Sequence, residues 1–354
     1  MATLSFSVES LTPVPVEVYG KGLALVGRTL SSQEMDVEPG SYTVVGRLPD
    51  GSRLQVAVDV GKGGSAEAPL QPFPTGGLRD VRAFVRSPVQ LFPRDPRGSS
   101  IDPAGLPIPD VVELGIPWAP PPATPIPTPG GRVRYWRDPY DGFADSLMLE
   151  RQHHAVTAVR VPERAFRYYQ VSIRMWPDGG SDLIAGLRNE LADALLGYMQ
   201  HGLLNDASVL AGSPELTAES LLERKRGDPV AAAAGAFVLL RLGDLDRLYD
   251  WTANLSNWFD WLPDGLVARA EHLAREARHE EARGLLRQLP ERGLPSLTAG
   301  LAYAADRLRT YVAHWPDDGG LRDALNLVAP YAAVADVHAK VTTFPLQEVR
   351  RRRP

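Results

Sequence analysis

From Met1 to Leu70, apolar and polar positions alternate with a period of two. LSFSVE, VPVEVYG, LALVGRTL, SYTVVGRLP and RLQVAVDV are short runs rich in Val, Leu, Thr and Tyr. Turn signals such as Glu38-Pro39-Gly40 and Pro49-Asp50-Gly51 separate them, the signature of antiparallel strands. Leu54, Val56, Val58 and Val60 recur at every second position, which places them on one strand face. The pattern predicts a small β-sandwich over residues 1–70. Its two glycine clusters, Gly20-Lys21-Gly22 and Gly61-Lys62-Gly63-Gly64, read as hairpin turns. A phosphate loop would need glycine at position 56, where the chain has Val56.

The alternation then gives way to proline. Between Ile101 and Gly130 there are ten prolines, and the run from Trp118 to Pro127 favours extended polyproline backbone. Residues 71–130 therefore read as a linker or strap with short strands. Alternation returns in GRVRYWR, AVTAVRVP and FRYYQVSIRMW, after an earlier instance in LRDVRAFVR. A second β-rich region is expected over 131–177. With LRDVRAFVR counted as part of the same unit, interrupted by the proline passage, Arg82, Arg86, Arg132, Arg134, Arg160 and Arg174 would form an outward, arginine-studded face. It would be either a surface for an acidic partner or edge-strand charge that discourages aggregation.

From residue 178 the period lengthens. Leu183, Leu187, Leu191 and Leu195 form a stripe at helical spacing, with Ser181 or Asp182 placed to cap it. Shorter helices are expected around residues 206–211 and 214–226. Residues 228–289 hold the largest apolar commitment and read as helices joined by tight turns. Ala231 to Ala234 and Gly235 predict a helix packed very closely on its neighbour. A weak internal repeat lays Leu239, Gly243 and Trp251 over Leu273, Ala277 and Leu285, and a degenerate third unit covers 297–314 and 323–338. The expected fold class is multidomain α+β: an N-terminal Ig-like sandwich, a second β-rich region and a C-terminal helical array over 178–346. A basic tail, 347–354, follows.

Two stretches resemble known families. EPGSYTVVGRLPDGSRLQV is similar to the carboxypeptidase-regulatory-like and PEGA-like sandwiches: a proline-glycine turn, an aromatic on the next strand, then an Asp-Gly hairpin. That resemblance implies a scaffold or platform and no catalysis. LLRLGDLDRLYDWTANL resembles the Gly-Asp turn of a tetratricopeptide hairpin, with Gly243 closing one helix and Asp244 opening the next. The offset from Gly243 to Ala277 matches that repeat's period of about 34 residues. Ala277-Arg278 departs from the pattern. A carrier-like sandwich beside short helical repeats is loosely similar to accessory proteins of bacterial signalling and conflict systems, including those encoded beside caspase-like peptidases. The resemblance implies an adaptor, regulator or cleavage target.

Composition narrows the chemistry. The chain has 354 residues, 44% apolar, a net charge of −5 and no cysteine, so disulfides, thiolate metal ligands and a cysteine nucleophile are excluded. Lysines number only four, against 34 arginines. No apolar run approaches the ~18 residues of a membrane span, and the N-terminus lacks a signal-peptide pattern, which makes a cytoplasmic address the expectation. Residues 178–346 carry 16 basic and 24 acidic side chains, an acidic half that argues against nucleic acid. There is no G-x-S-x-G, no H-E-x-x-H (position 283 is Arg) and no dinucleotide fingerprint. His153-His154 would point to opposite strand faces and suits no metal. No catalytic residue, cofactor or metal is assigned.

Partner-binding candidates are the exposed aromatics and the basic tail. Trp258-Phe259-Asp260-Trp261 holds three aromatics in four positions, which cannot all face one core, so at least one is free to anchor a partner or pack on a neighbouring domain. Trp118 lies in the proline passage, and Arg350, Arg351, Arg352 and Arg353 give the tail its charge. The sequence thus points to a non-enzymatic interaction adaptor or regulator, its partner a protein such as a caspase-like or other peptidase, and no membrane. The alternatives are a substrate or inhibitor of a partner protease, with the proline-rich passage cut or docked, and a hydrolase with an unfamiliar site.

Overall fold

In this computed structural model the described residues are 1–71, 110–113, 126–128, 131–136, 146–151, 154–175, 181–213 and 217–345. The readings of Trp118, of the proline-rich passage around it, of the strand at 78–86 and of Arg350 to Arg353 fall outside them. The described residues form two compact units, one of residues 1–71 with 197–213 and 217, and one of the remainder.

In the first unit the period-two pattern folds as expected. Strands β1 (Ala2–Ser7), β2 (Pro15–Tyr19), β3 (Leu25–Leu30), β4 (Met35–Val37), β5 (Gly40–Arg47), β6 (Arg53–Val60) and β7 (Ser65–Pro69) make two sheets, ordered β4-β1-β7 and β3-β2-β5-β6. Inward residues Leu4, Phe6, Val16, Val18, Val44 and Leu54 form the core, with Val56 and Val58 packed against it. The Tyr42 hydroxyl donates to the Glu38 carbonyl at 2.6 Å, so the aromatic after the proline-glycine turn locks that turn. Gly51, at φ 86°, closes the β5–β6 hairpin. The Gly20 cluster closes the β2–β3 hairpin, whereas Gly61 to Gly64 lead from one sheet to the other. The end of helix α1 (Glu190–Gln200) and helix α2 (Leu204–Ala211) join this unit from much later in the chain. The α1 hydroxyl of Tyr198 donates to the Arg47 carbonyl at 2.8 Å, and Arg47 pairs with Asp206 of α2 at 3.4 Å.

The second unit has two antiparallel sheets. One is ordered β15-β12-β11-β10-β9, from β9 (Ile126–Thr128), β10 (Gly131–Trp136), β11 (Ser146–Arg151), β12 (His154–Arg160) and β15 (Thr343–Pro345). The other is ordered β14-β13-β8, from β8 (Asp110–Glu113), β13 (Tyr169–Met175) and β14 (Ser181–Leu187). Two expectations need correction here. Ser181 and Asp182 cap no helix: β14 pairs with β13 along its whole length. Leu183, Ile184, Ala185 and Leu187 are all buried, and a strand covered on both faces imitates a helical stripe in sequence. The helix starts after Asn189, whose Oδ1 accepts from the Ala192 N–H at 3.0 Å. Gly186 is required because a Cβ there would lie 2.7 Å from Asp193 Oδ1, the oxygen that accepts the Leu187 N–H. Arg160 is likewise no part of an outward basic face. It is buried and donates to the Leu294 carbonyl at 3.1 Å.

The helical array runs α3 (Ala218–Glu223), α4 (Pro229–Leu242), α5 (Trp251–Trp258), α6 (Pro263–Arg275), α7 (His279–Leu286), α8 (Leu289–Arg292), α9 (Thr298–His314) and α10 (Gly319–Ala332). The register of the repeat is visible in its caps. Pro229 and Pro263 both sit at the first turn of their helices, where a missing N–H costs nothing. At the other ends, the Asp244 N–H donates to the Leu239 carbonyl at 3.0 Å and the Arg278 N–H to the Leu273 carbonyl at 2.9 Å. Gly243 has φ 84° and Ala277 has φ 61°. Both helices therefore close with the same left-handed turn, and alanine bears a Cβ penalty there that glycine avoids. Ala277→Gly is expected to raise stability by roughly 0.5–1 kcal/mol, read as a higher urea midpoint at unchanged slope.

A buried polar relay joins this array to the second sheet. Tyr169 of β13 donates to Ser296 Oγ at 2.7 Å, and Ser296 Oγ donates to Asp264 Oδ2 at 2.7 Å. The Ser296 and Leu297 N–H groups also donate to that carboxylate, at 2.9 and 3.0 Å. One side chain of α6 thus satisfies the backbone leading into α9.

Candidate partner-binding surface

The turn between α3 and α4 brings Lys225 and Arg226 against the aromatic face of α5. Trp251 and Trp258 stand two helical turns apart and share one face. The opposite face sends Thr252, Leu255 and Ser256 inward. Lys225 Nζ lies 5.4 Å from the Trp251 ring centre and 5.5 Å from that of Trp258, and the Arg226 guanidinium lies 5.0 Å from the Trp258 ring. Lys225 is only 6% exposed, yet Trp258 is 48% exposed. The lysine donates to the Leu222 carbonyl at 3.0 Å. Among the described residues neither Lys225 nor Arg226 forms an ion pair with a carboxylate. Burial pushes the Lys225 ammonium below its ordinary pKa, Arg226 adds to the effect, and Glu223 opposes it.

Two features hold the surface in place. Arg247 forks onto both carboxylate oxygens of Glu219 and reaches Asp244 at 2.9 Å. That tie fastens the turn before α5 to α3, and the guanidinium holds Glu219 below the usual carboxylate range. At the far end of α5, Arg292 donates to the Ser256 carbonyl at 2.8 Å. Between these ties Tyr249 adopts φ 44°, ψ −147°, a strained conformation for a residue with a Cβ. Its exposed ring stands 5.0 Å from that of Trp251.

The three sequence candidates in the Trp-rich run part company. Trp258 is the exposed one and joins the two cations. Phe259 and Trp261 are half-buried and meet each other edge to face at 6.2 Å and 84°. Sequence does not single out Lys225, Arg226 or Tyr249. The spacing of Trp251 and Trp258 is the available signal, but the lysine and arginine stand before the whole of α4 in the chain. Only the fold brings them together.

The same helices hold a grouping with the look of a catalytic one. Thr252 Oγ1 lies 2.9 Å from His272 Nδ1, and His272 Nε2 lies 3.4 Å from Glu276 Oε1, the order of a nucleophile, base and acid. Thr252, however, is fully buried, and a nucleophile must be reached by substrate. Burial keeps His272 below its ordinary pKa, so the neutral ring serves as a hydrogen-bond link between α5 and α6. Among the described residues no group of three or more His, Cys, Asp or Glu side chains could hold a metal ion. None of the described helices is long and apolar enough to cross a membrane.

Residues 194–351 match the family model of the Y4kD C-terminal domain, a segment that contains the whole Lys225–Trp258 surface. The chain is also similar to a probable protease from a Desulfuromonadales bacterium, 37% identical over 81 residues. That stretch covers 23% of this chain and 10% of the relative; the chain thus spans only about a tenth of that relative's length. No solved structure matches the chain.

Proposed function

We propose that this protein is a non-enzymatic interaction adaptor or regulator that works with a partner protease, docking through the Trp258 surface. The observation that carries this reading is a half-exposed tryptophan held over two cations that form no ion pair with a described carboxylate. Large aromatic and arginine side chains beside one another are the usual anchors of protein interfaces. The likeness to a probable protease supports a protease-related setting, and its 81-residue extent is the size of a small module. The matching caps of α4 and α6 support a tetratricopeptide-like array, a fold type that commonly presents binding surfaces. A caspase-like peptidase of a bacterial conflict system is the partner we favour, on the resemblance of the sandwich and hairpins alone.

The test is retention of peptidase activity from a native-host lysate on the immobilised full chain, with casein as substrate. Trp258→Ala is expected to retain at least tenfold less activity than the unaltered protein, with a stability change of about 1 kcal/mol or less, because the side chain is half-exposed. Casein cleavage by the purified chain alone would make it an enzyme and overturn the proposal. Cutting of the chain itself within its proline-rich passage would instead favour the substrate reading.

A further inference from the structure

The charge balance around Trp258 says what chemistry the partner must bring. An ammonium has three N–H donors, and Lys225 is given one backbone carbonyl, that of Leu222. An ammonium removed from water without a counter-ion is costly. The faces of Trp251 and Trp258 offset part of that cost through their negative ring centres, and the adjacent guanidinium of Arg226 adds to it. Glu223 is the acidic neighbour that acts on Lys225, but among the described residues the two form no ion pair. The site therefore holds two cations, one buried and one exposed, with no described anion between them. Elsewhere in the array two buried carboxylates are matched by cations: Glu271 receives Arg275 and Arg307, and Asp318 receives Arg283.

We propose that this surface binds an acidic, extended segment of a partner protein, taking an Asp or Glu carboxylate on Arg226 and the neighbouring apolar side chain on Trp258 and Tyr249. Arg226 is exposed and offers the planar fork that suits a carboxylate. Lys225, buried 5.5 Å from the Trp258 ring centre, attracts the same carboxylate from a poorly screened position. The apolar requirement comes from the exposed rings: Tyr249 is 61% exposed and is held in a strained backbone conformation beside Trp251. A polyanion such as nucleic acid is disfavoured, because the surrounding residues 178–346 carry a net negative charge that repels a long run of phosphates more than a single carboxylate. The proposal rests on the reading that this surface docks a protein, and it adds the class of ligand.

The chain has only four lysines, Lys21, Lys62, Lys225 and Lys340, so each can be followed by NMR in the full-length protein carrying 13C-labelled lysine. Lys225→Arg assigns the signal. The probe is a capped tetrapeptide alternating leucine and glutamate, with its glutamine counterpart and inorganic phosphate as controls. The glutamate peptide is expected to move the Lys225 signal and raise its titration midpoint by roughly one unit, since a nearby anion favours the ammonium. Lys21 and Lys62 should stay put. Arg226→Gln and Trp258→Ala, both at exposed positions, should each weaken binding at least tenfold.

An unmoved Lys225 signal, equal binding of the two peptides, or full-strength binding to Arg226→Gln would overturn the ligand class. A phosphate response as strong as the glutamate response would make this a general anion site and would also overturn it. The two readings fail separately. If Trp258→Ala abolishes peptidase retention while the peptide does not bind, docking stands and the acidic ligand falls. If the peptide binds and no peptidase is retained, the acidic site stands and the protease-linked role falls.

Discussion

Asp264→Ala is expected to lower the unfolding free energy by about 4 kcal/mol, since each buried donor left without an acceptor costs roughly 1–3 kcal/mol. The carboxylate accepts from the Ser296 N–H, the Ser296 hydroxyl and the Leu297 N–H, and all of these groups are buried. Gly300 packs directly on this carboxylate, since a Cβ there would stand 2.5 Å from Asp264 Oδ1 and 3.0 Å from the Phe237 ring. Asp264→Asn keeps one acceptor oxygen and should lie between wild type and alanine. Denaturant midpoints of the three proteins at one pH check the order, and an alanine variant within about 1 kcal/mol of wild type would remove the relay from the fold's supports.

The pH dependence of the same pair tests the electrostatics. Burial raises the Asp264 pKa above its ordinary value, and the hydrogen bonds from Ser296 and Leu297 oppose that shift without cancelling it. A group whose folded pKa exceeds its unfolded one contributes most below the unfolded value and loses that contribution as pH rises through the folded one. Wild type should therefore lose stability relative to Asp264→Asn as pH climbs from the ordinary Asp range, about 3.9, towards neutrality. A difference that moves the other way would mean that the three donors outweigh the burial of the charge.

How much of this is legible in the sequence depends on the length over which each signal acts. Strand β6 is readable because one of its faces is solvated: Leu54, Val56, Val58 and Val60 pack on the core while Arg53, Ala57 and Asp59 between them are exposed. Strand β14 is not, because burial on both faces erases alternation and leaves Leu183, Ile184 and Ala185 in a helix-like run. Gly186 and Asn189 are the local marks that betray it: a glycine unsuited to a helix interior and a good N-cap. The left-handed turn at Gly243 is readable, while its twin at Ala277 carries the wrong letter. At the surface site, the sequence can say that one residue among Trp258, Phe259 and Trp261 must face out. It cannot say which, nor that two cations are its neighbours, since that pairing exists only once α3, α4 and α5 have packed.

That packing hinges on one glycine, and Gly235→Val is expected to destabilise the protein by about 3 kcal/mol, at the upper end of the usual cost of overfilling a packed interior. A Cβ at 235 would stand 2.9 Å from the Ala218 carbonyl oxygen and 3.2 Å from Leu221 Cβ. The first of these is backbone and cannot rotate away. A branched side chain must push α3 off α4, and α3 leads directly into the turn that holds Lys225 and Arg226. The Arg247 fork to Glu219 fixes α3 to the segment before α5, so displacement on one side strains the tie on the other. Two measurements follow on the folded fraction of the variant. The Lys225 titration midpoint should rise towards that of an ordinary lysine as the turn opens to water, and the leucine–glutamate peptide should bind more weakly. A variant that is destabilised yet keeps both the Lys225 midpoint and the peptide affinity would show that the cation–tryptophan surface holds together without the close α3–α4 contact, and the tie through Arg247 would then be its principal support.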